Sequence, residues 1–599
     1  MIYHCEDHTC NYWDEGEKLP ERCPQCGRKL LRANEADMTG DDWTALGNTL
    51  WDAEASDKKR MVDCFRKAAY LGSAWGVCNL GICMEQGNGV EADPVQAFWL
   101  YQQAVEMGSL NAVCCLGVCY EHGIGTAPDA KQAAELYCKA AEYGSPRGQM
   151  LLAHAFHDGI GVEADAAEAV HWVRAAAYQR YGEGMYRLGV CYEYGDGVEQ
   201  NWERAVHWFR EAAESGVSAA MTDLGYCYEK GCGVEQSWEQ AFSWYRRGAE
   251  CGYPVSMSNL GLCYKRGYGV EQNWQEAIKW YEQGAQCGDL QSMHNLACCY
   301  ERGEGVEQNE ERALYWYRRS AEGGNGGAMC NLGRCYKMGH GVEQNLQEAV
   351  KWYEQGAQCG HLQSMNNLAC CYEDGEGVEQ NMTEAIRWYT AAAEGGNADA
   401  MQSLGWHYDH GEGVEQDMKK AICWYERAAE QNHPAAMNSL GECYAMGRGV
   451  PRDLETAMEW YRRAAELGEA MADYNMGWHL EQAGKLSEAY AHYRKAADGN
   501  DDSAWWALGR FYENGVVVAQ DGKEARRCYE TGEKLGSVKC KMRLARCKLL
   551  GIGGRRAKKA GLDLCRQALE LAKESSEKED YGYEAEMNLL RRTIAENES

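Results

Sequence analysis

Apolar positions in this chain return with two superposed periods. Within a window such as residues 289–324, Met293, Leu296, Ala297 and Tyr300 fall at i, i+3, i+4 and i+7, the stripe of an amphipathic helix. Gly303 and Gly305 interrupt it, and a polar loop Val306-Glu307-Gln308-Asn309 follows. A second apolar stripe then begins, so one window predicts two short helices joined by a tight loop. The same window recurs every 36 residues. Leu80-Gly81, Leu116-Gly117, Leu188-Gly189, Leu224-Gly225, Leu260-Gly261, Leu332-Gly333, Leu404-Gly405 and Leu440-Gly441 mark it, with Leu152-Ala153, Leu296-Ala297 and Leu368-Ala369 in the same phase. A fixed period of this length means one supersecondary unit stacked many times.

Helix starts and stops are legible in each copy. Asn201, Ser237, Asn273, Asn309, Asn345, Asn381, Asp417 and Asp453 stand where the second helix begins and suit its N-cap. Gln240, Glu276, Glu348 and Glu384, three residues further on, predict capping boxes. The second helix carries Trp at 172, 208, 244, 280, 316, 352, 388, 424 and 460, and Tyr follows it from Tyr245 to Tyr461. Neighbours on a helix point about 100° apart. One ring is therefore expected to pack within its own hairpin and the other on the next repeat. Pro146, Pro254 and Pro434 precede first helices, Pro94 follows a cap, and no proline interrupts a predicted helix.

Composition adjusts this picture in three ways. Net charge is −30, which disfavours nucleic acid and anionic lipid as partners. No run of about 18 apolar residues exists, so no membrane span is expected. The 30 cysteines suggest a disulfide scaffold, yet ten of them share one slot three residues after the Leu, among them Cys83, Cys227, Cys263 and Cys443. Ala155, His407 and His479 fill that slot elsewhere, which predicts a small packing group and reduced thiols. The start lacks a secretory pattern, so a cytoplasmic protein is expected.

The string Leu-Gly-x-x-Tyr-x-x-Gly-x-Gly-Val, then Ala-x-x-Trp-Tyr, then Ala-Ala-x-x-Gly, resembles the Sel1-like repeat family over roughly residues 40–550. The resemblance implies an all-α fold, a right-handed α-solenoid superhelix of antiparallel helix pairs related to tetratricopeptide repeats. It implies an adaptor that binds proteins or peptides, and no enzyme. A cysteine-rich secreted branch of the family is linked to β-lactam binding and hydrolysis, and is the alternative. That branch pairs a Cys near the end of a second helix with one before the next Leu-Gly. Here Cys251, Cys287 and Cys359 lie near the first place, but Met257, Met293 and Met365 occupy the second.

Residues 1–31 lie outside the repeat and carry Cys5, Cys10, Cys23 and Cys26. The stretch Leu19-Pro20-Glu21-Arg22-Cys23-Pro24-Gln25-Cys26-Gly27 looks like the second knuckle of a rubredoxin-like or zinc-ribbon module. Four thiolates make a closed tetrahedral zinc site of structural type. Zinc is expected over iron, since an electron-transfer role wants a second redox centre, and a rubredoxin-like redox protein is the competing reading. The first knuckle has a four-residue gap where the family has two. Cys10 keeps the twelve-residue spacing to Cys23 and is the expected fourth ligand, with His8 as its alternative.

The organisation read from the chain is thus a ribbon over 1–31, a solenoid over 32–550 and a helical cap and tail over 551–599, with a charged gap at Ser575–Asp580. Two further features are expected at the surface. The pairs His154/His157 and His407/His410 read as exposed histidines without carboxylates to complete a ligand set. Glu91, Glu163, Glu199, Glu235, Glu271, Glu307, Glu343, Glu379 and Glu415 share a loop slot and read as solvated loop carboxylates, with an acidic ridge able to steer a basic partner as the sharper alternative.

Overall fold

A computed structural model of the chain describes residues 2–5, 13–15, 30–33, 35–51, 55–578 and 584–598. The N-terminal part forms a small antiparallel sheet. Strands β1 (Ile2–Cys5), β2 (Trp13–Glu15) and β3 (Leu30–Ala33) run in the order β2-β1-β3, with Tyr3 opposite both Asp14 and Arg32. After the short 3-10 turn Glu35–Asp37, the described residues form helical hairpins, here called an A helix followed by a B helix. The helices group into two compact units, Met1–Gln308 and Asn309–Ser599.

One hairpin shows how the local sequence dictates the unit. The A helix Pro254–Arg266 starts with proline at its first turn, where no N–H is needed. It stops at Gly267, which takes φ +74 as a left-handed C-cap and returns its N–H to the Cys263 carbonyl at 2.8 Å. Gly269 serves a different purpose. A Cβ there would lie 2.2 Å from the Trp238 carbonyl oxygen, so this glycine lets the loop press onto the preceding B helix. Gln272 then folds back and donates from Nε2 to the Lys265 carbonyl at 2.8 Å, capping the end of the A helix. Gln200, Gln236, Gln344, Gln380 and Gln520 do the same, which explains the glutamine in the Val-Glu-Gln loops.

Asn273 begins the B helix Trp274–Gln286, and its side chain accepts from the Gln275 and Glu276 amides. The expected capping box is only half formed. The Asn273 N–H donates to the Tyr264 carbonyl at 2.9 Å, so it is no longer open to Glu276. The same holds at Ser237, Asn345 and Asn381. Freed of that task, Glu276, Glu348 and Glu384 pair with Lys279, Lys351 and Arg387 one turn on.

The tandem aromatics divide their work. The tyrosine is buried and lies against the glycine of Leu-Gly in its own hairpin: a Cβ on Gly225 would be 2.6 Å from Tyr245 Cε1, and one on Gly261 2.5 Å from Tyr281 Cε1. The phenol reaches past the A helix, so Tyr245 donates to Glu229 at 2.9 Å and Tyr389 to Glu373 at 2.6 Å. The tryptophan is half-buried and packs on the preceding repeat rather than the next one. Trp280 joins the Tyr245 cluster and Trp388 the Tyr353 cluster. At Trp244, Trp316, Trp424 and Trp460 an arginine one turn on lies over the ring, with Arg427 4.4 Å from the Trp424 ring centre and Arg463 4.5 Å from Trp460.

The cysteine slot is a packing slot. Cys83, Cys227, Cys263 and Cys443 are buried and free, and burial pushes the Cys263 thiol up to about 12. The C-terminal end is closed by helices Lys558–Lys578 and Glu584–Glu598. The expected gap at 575–580 is corrected in its described part. Helix continues through Lys578, because Glu, Lys and Ser are compatible with a solvated helix even where no apolar stripe marks it.

One cap carries a pH signature. Asp501 accepts from the Ala504 amide at 2.6 Å, yet it is buried, and that burial raises its carboxyl to about 6. A carboxyl whose folded pKa lies above its unfolded value near 3.9 favours folding most below about pH 4, and that contribution is lost as pH rises through about 6. Asp501→Asn keeps the cap acceptor without the charge. It is expected to raise stability by on the order of 1–3 kcal/mol at pH 8 and to change little at pH 4. Melting curves at the two pH values check this, and an equal shift at both would refute it.

Candidate functional site

The packing slots leave one face of each A helix open. Two residues after the repeat Leu, the first unit presents His154, Val190, Tyr226, Leu262 and Cys298, and the second Arg334, Cys370, Trp406, Glu442 and Trp478. One turn further come Asp158, Tyr194, Lys230, Arg266 and Arg302 in the first unit. Tyr194 is 74% exposed, and Tyr226 and Leu262 are exposed with it. Side chains one residue before the Leu link successive A helices. Asn367 donates to Cys330 Sγ at 3.4 Å, and Asn475 donates to Asn438 at 3.0 Å. Polar and apolar contact groups therefore line a stripe that runs across neighbouring repeats.

Sequence reasoning missed this stripe, although a signal was present. The slot three after the Leu is nearly always Cys or Ala, whereas the slot two after it changes in almost every copy. Packing holds a slot constant from repeat to repeat, and a solvent-facing slot is free to diversify.

The loop glutamates lie at the surface. All nine, from Glu91 to Glu415, are exposed in the turn between A and B helices. One histidine needs correction. His407 is buried, with Nδ1 3.1 Å from the Glu412 carbonyl, Nε2 3.6 Å from Glu373 and its ring beside Tyr389. It occupies the inward cysteine slot, and only His410 faces out. His154 and His157 are exposed, as read from the chain, and carboxylates pair with them without completing a ligand set. His154 pairs with Asp158 at 3.2 Å, and His157 sits between Asp158 and Asp196 of the following loop. The hydrogen bond to Asp158 raises the His157 pKa. Among the described residues no group of three or more His, Cys, Asp or Glu side chains is arranged to hold a metal ion.

Beside these, Arg147 reaches Cys115 Sγ at 3.6 Å. Cys115 is lowered to about 7, first by its hydrogen bond with Cys78 and then by the Arg147 charge, while the same bond raises Cys78. Of the four expected metal ligands, Cys5 closes strand β1. Cys10, Cys23, Cys26 and the alternative His8 lie outside the described residues. Among the described residues no helix is long and apolar enough to cross a membrane.

The Sel1 repeat profile matches thirteen successive segments, from 76–109 through 218–253 and 434–469 to 504–537. The chain belongs to the Sel1 repeat family. Its Sel1 repeats coincide with the A/B hairpins described above. A similar solved structure is that of c5321, a protective antigen present in uropathogenic Escherichia coli strains and displaying an SLR fold. It is 32% identical, with a TM-score of 0.51, over 75% of this chain and 97% of that one. A Sel1 repeat protein from Oxalobacter formigenes is also 32% identical, with a TM-score of 0.37, over 41% of this chain and 96% of its own. No curated protein matches the chain. The architecture is that of a helical repeat scaffold.

Proposed function

We propose that this Sel1 repeat chain is a noncatalytic scaffold that binds an extended segment of a partner protein along the A-helix stripe. The observation that carries the reading is the diversified, partly apolar stripe, with Tyr194, Tyr226 and Leu262 exposed on successive A helices. A row of exposed apolar side chains rimmed by charge is what a protein-contact surface requires. The loop glutamates favour a basic partner, which they would steer by long-range attraction. Buried, free thiols in the repeat support a cytoplasmic location.

The N-terminal module is part of the proposal. Cys5, Cys10, Cys23 and Cys26 would hold a structural zinc ion, with His8 as the alternative to Cys10. The antiparallel pairing of β1, which carries Cys5, supports a ribbon there. Zinc bound to four thiolates supplies folding free energy to a segment too short to bury a core.

Affinity capture from the native cell tests both parts. Capture is expected to be sensitive to ionic strength, and Glu199, Glu235, Glu271 and Glu307 changed together to Lys should weaken it and flatten its salt dependence. Tyr226→Ala with Leu262→Ala should weaken it at all salt concentrations. Equal capture by both variants would reject the stripe and the ridge. A chelator should release about one zinc per chain, and a chain that retains no zinc when purified under reducing conditions would reject the ribbon.

A further inference from the structure

The tyrosine of the B helix is replaced by an aliphatic residue once. Its slot reads Tyr101, Tyr137, Val173, Phe209, Tyr245, Tyr281, Tyr317, Tyr353, Tyr389, Tyr425 and Tyr461. The partner slot on the A helix varies, holding Lys265, Lys337, Asp409 or Ala445 beside a retained tyrosine, and it too departs from Glu in the repeat of Val173. Glu85, Glu121 and Glu229 accept the phenols of Tyr101, Tyr137 and Tyr245, whereas the corresponding residue beside Val173 is His157. Both halves of the Tyr–Glu pair are therefore missing from the hairpin Pro146–Asp158 and Ala166–Tyr178.

A cavity of about 750 Å³ lies at that place. Its walls include Ala153, Val170 and Val173 of this hairpin, Val118 of the A helix before it and Val190 of the A helix after it, with His157 at the rim. The cavity adjoins the slot that a buried ring fills in the neighbouring repeats, and Val173 is part of its lining. The volume falls in the usual range for ligand sites and exceeds what one ring fills. Its rim reaches the exposed stripe through His154 and Tyr194.

We propose that this third repeat carries a recognition pocket for an aromatic side chain of an extended partner segment, bordered by Val173 where other repeats hold their own ring. The proposal rests on the scaffold reading and names what one part of the stripe takes. Three features favour an aromatic occupant. Its apolar wall is made by Val118, Leu151, Ala153, Val170, Val173 and Val190, while Glu121, Arg147, Glu183, Arg187 and Asp196 also line it and suit a segment whose main chain and flanking groups are polar. The cavity borders the slot in which other repeats pack a tyrosine ring against the residue after the repeat Leu, and it is large enough for such a ring. His157 has both ring nitrogens directed at carboxylates, Asp158 and Asp196, so its ring faces are what it has left to offer. An imidazole held by its two nitrogens presents its flat face to an aromatic ring as a stacking surface. A mouth on the stripe leaves room for the main chain of the segment to pass, which a small enclosed ligand would not need.

The repeats themselves supply the control. Val173→Tyr with His157→Glu rebuilds the pair found in the neighbouring hairpins. Ala153 in place of glycine is no obstacle, because Ala369 sits in the same slot of the repeat that buries Tyr389. The full chain would be titrated with p-cresol, with cyclohexanol as a non-aromatic control, and with a pentapeptide bearing a central tyrosine or alanine, read by saturation-transfer NMR. The expected result is that p-cresol and the tyrosine peptide bind the parent chain saturably, and that cyclohexanol and the alanine peptide bind at least about tenfold more weakly. The double variant should lose binding by at least about tenfold while melting at the same or a higher temperature. Val173→Phe, which copies the ring that Phe209 places in this slot one repeat later, serves if the double variant does not fold. Unchanged p-cresol binding in a folded variant, or no saturable binding to the parent chain, overturns the pocket. Binding of p-cresol without the tyrosine peptide overturns the side-chain occupant in favour of a free aromatic compound. None of these measurements involves the native partner, so their failure leaves the capture experiment as the separate test of the scaffold.

Discussion

Tyr389→Ala is expected to destabilise the second unit by about 3–5 kcal/mol. Tyr389 is 1% exposed and belongs to a cluster with Ala369, Leu404 and Tyr425, so its removal leaves a ring-sized void between an A helix and its B helix. Its phenol donates to Glu373 at 2.6 Å and lies 3.2 Å from Cys370 Sγ, and burial holds it protonated. Tyr389→Phe keeps the ring and is expected to cost about 1.5–3 kcal/mol, the value of a hydrogen bond to a charged group. Within the second unit each hairpin touches its neighbours in sequence, so stability is a sum of repeat and interface contributions. The loss should therefore appear locally, as faster amide exchange centred on residues 362–430 and an earlier transition in thermal melts. Uniform exchange throughout the unit, or a cost for Tyr389→Ala no larger than for Tyr389→Phe, would refute the role assigned to the ring.

The second large effect is expected at the C-terminal closure. Arg543 grips the Glu586 carboxylate with two nitrogens, at 2.6 and 2.7 Å, and also reaches Glu513 at 3.3 Å. Glu513 pairs in addition with Arg546 and accepts from Tyr529 at 2.8 Å. Glu586 is 8% exposed, so Arg543→Ala leaves a buried carboxylate without its main partner. The expected cost is about 3–5 kcal/mol. Replacing both partners by apolar residues of similar size, Arg543→Met with Glu586→Leu, should recover most of that loss, since a buried pair stabilises little against a well-packed apolar substitute. Limited proteolysis would show release of Glu584–Glu598 in the single variant and protection in the double one. Equal proteolysis in both variants would show that the ion pair does not hold the closing helix.

Much of the hairpin was legible because every copy repeats the same constraint. Stop signals such as Gly303 and start signals such as Asn309 are local, and a helix of 13 residues bounded by them needs no tertiary information. The cysteine slot was equally legible, since exchange with alanine between copies betrays its size. The capping boxes were not. Glu276 has the right spacing, but the Asn273 amide is claimed by a carbonyl of the preceding helix, a partner that only the folded loop brings near. His407 was misread for a related reason: its side chain points inward because of the slot it occupies, whatever its polarity. Asp196 approaches His157 from the next loop, and spacing along one helix could not show it.

By itself the chain's pattern determined the period, the two helices of each unit, their caps, the closing helices and the membership in a repeat scaffold. These follow from steric and hydrogen-bonding rules that act within a few residues. Tertiary structure alone decided which ring is buried, which A-helix slots face outward, and that a cavity lies beside the one valine in the tyrosine slot. Those outcomes depend on what the neighbouring repeat places against each side chain, and the identity of a residue does not specify its neighbour.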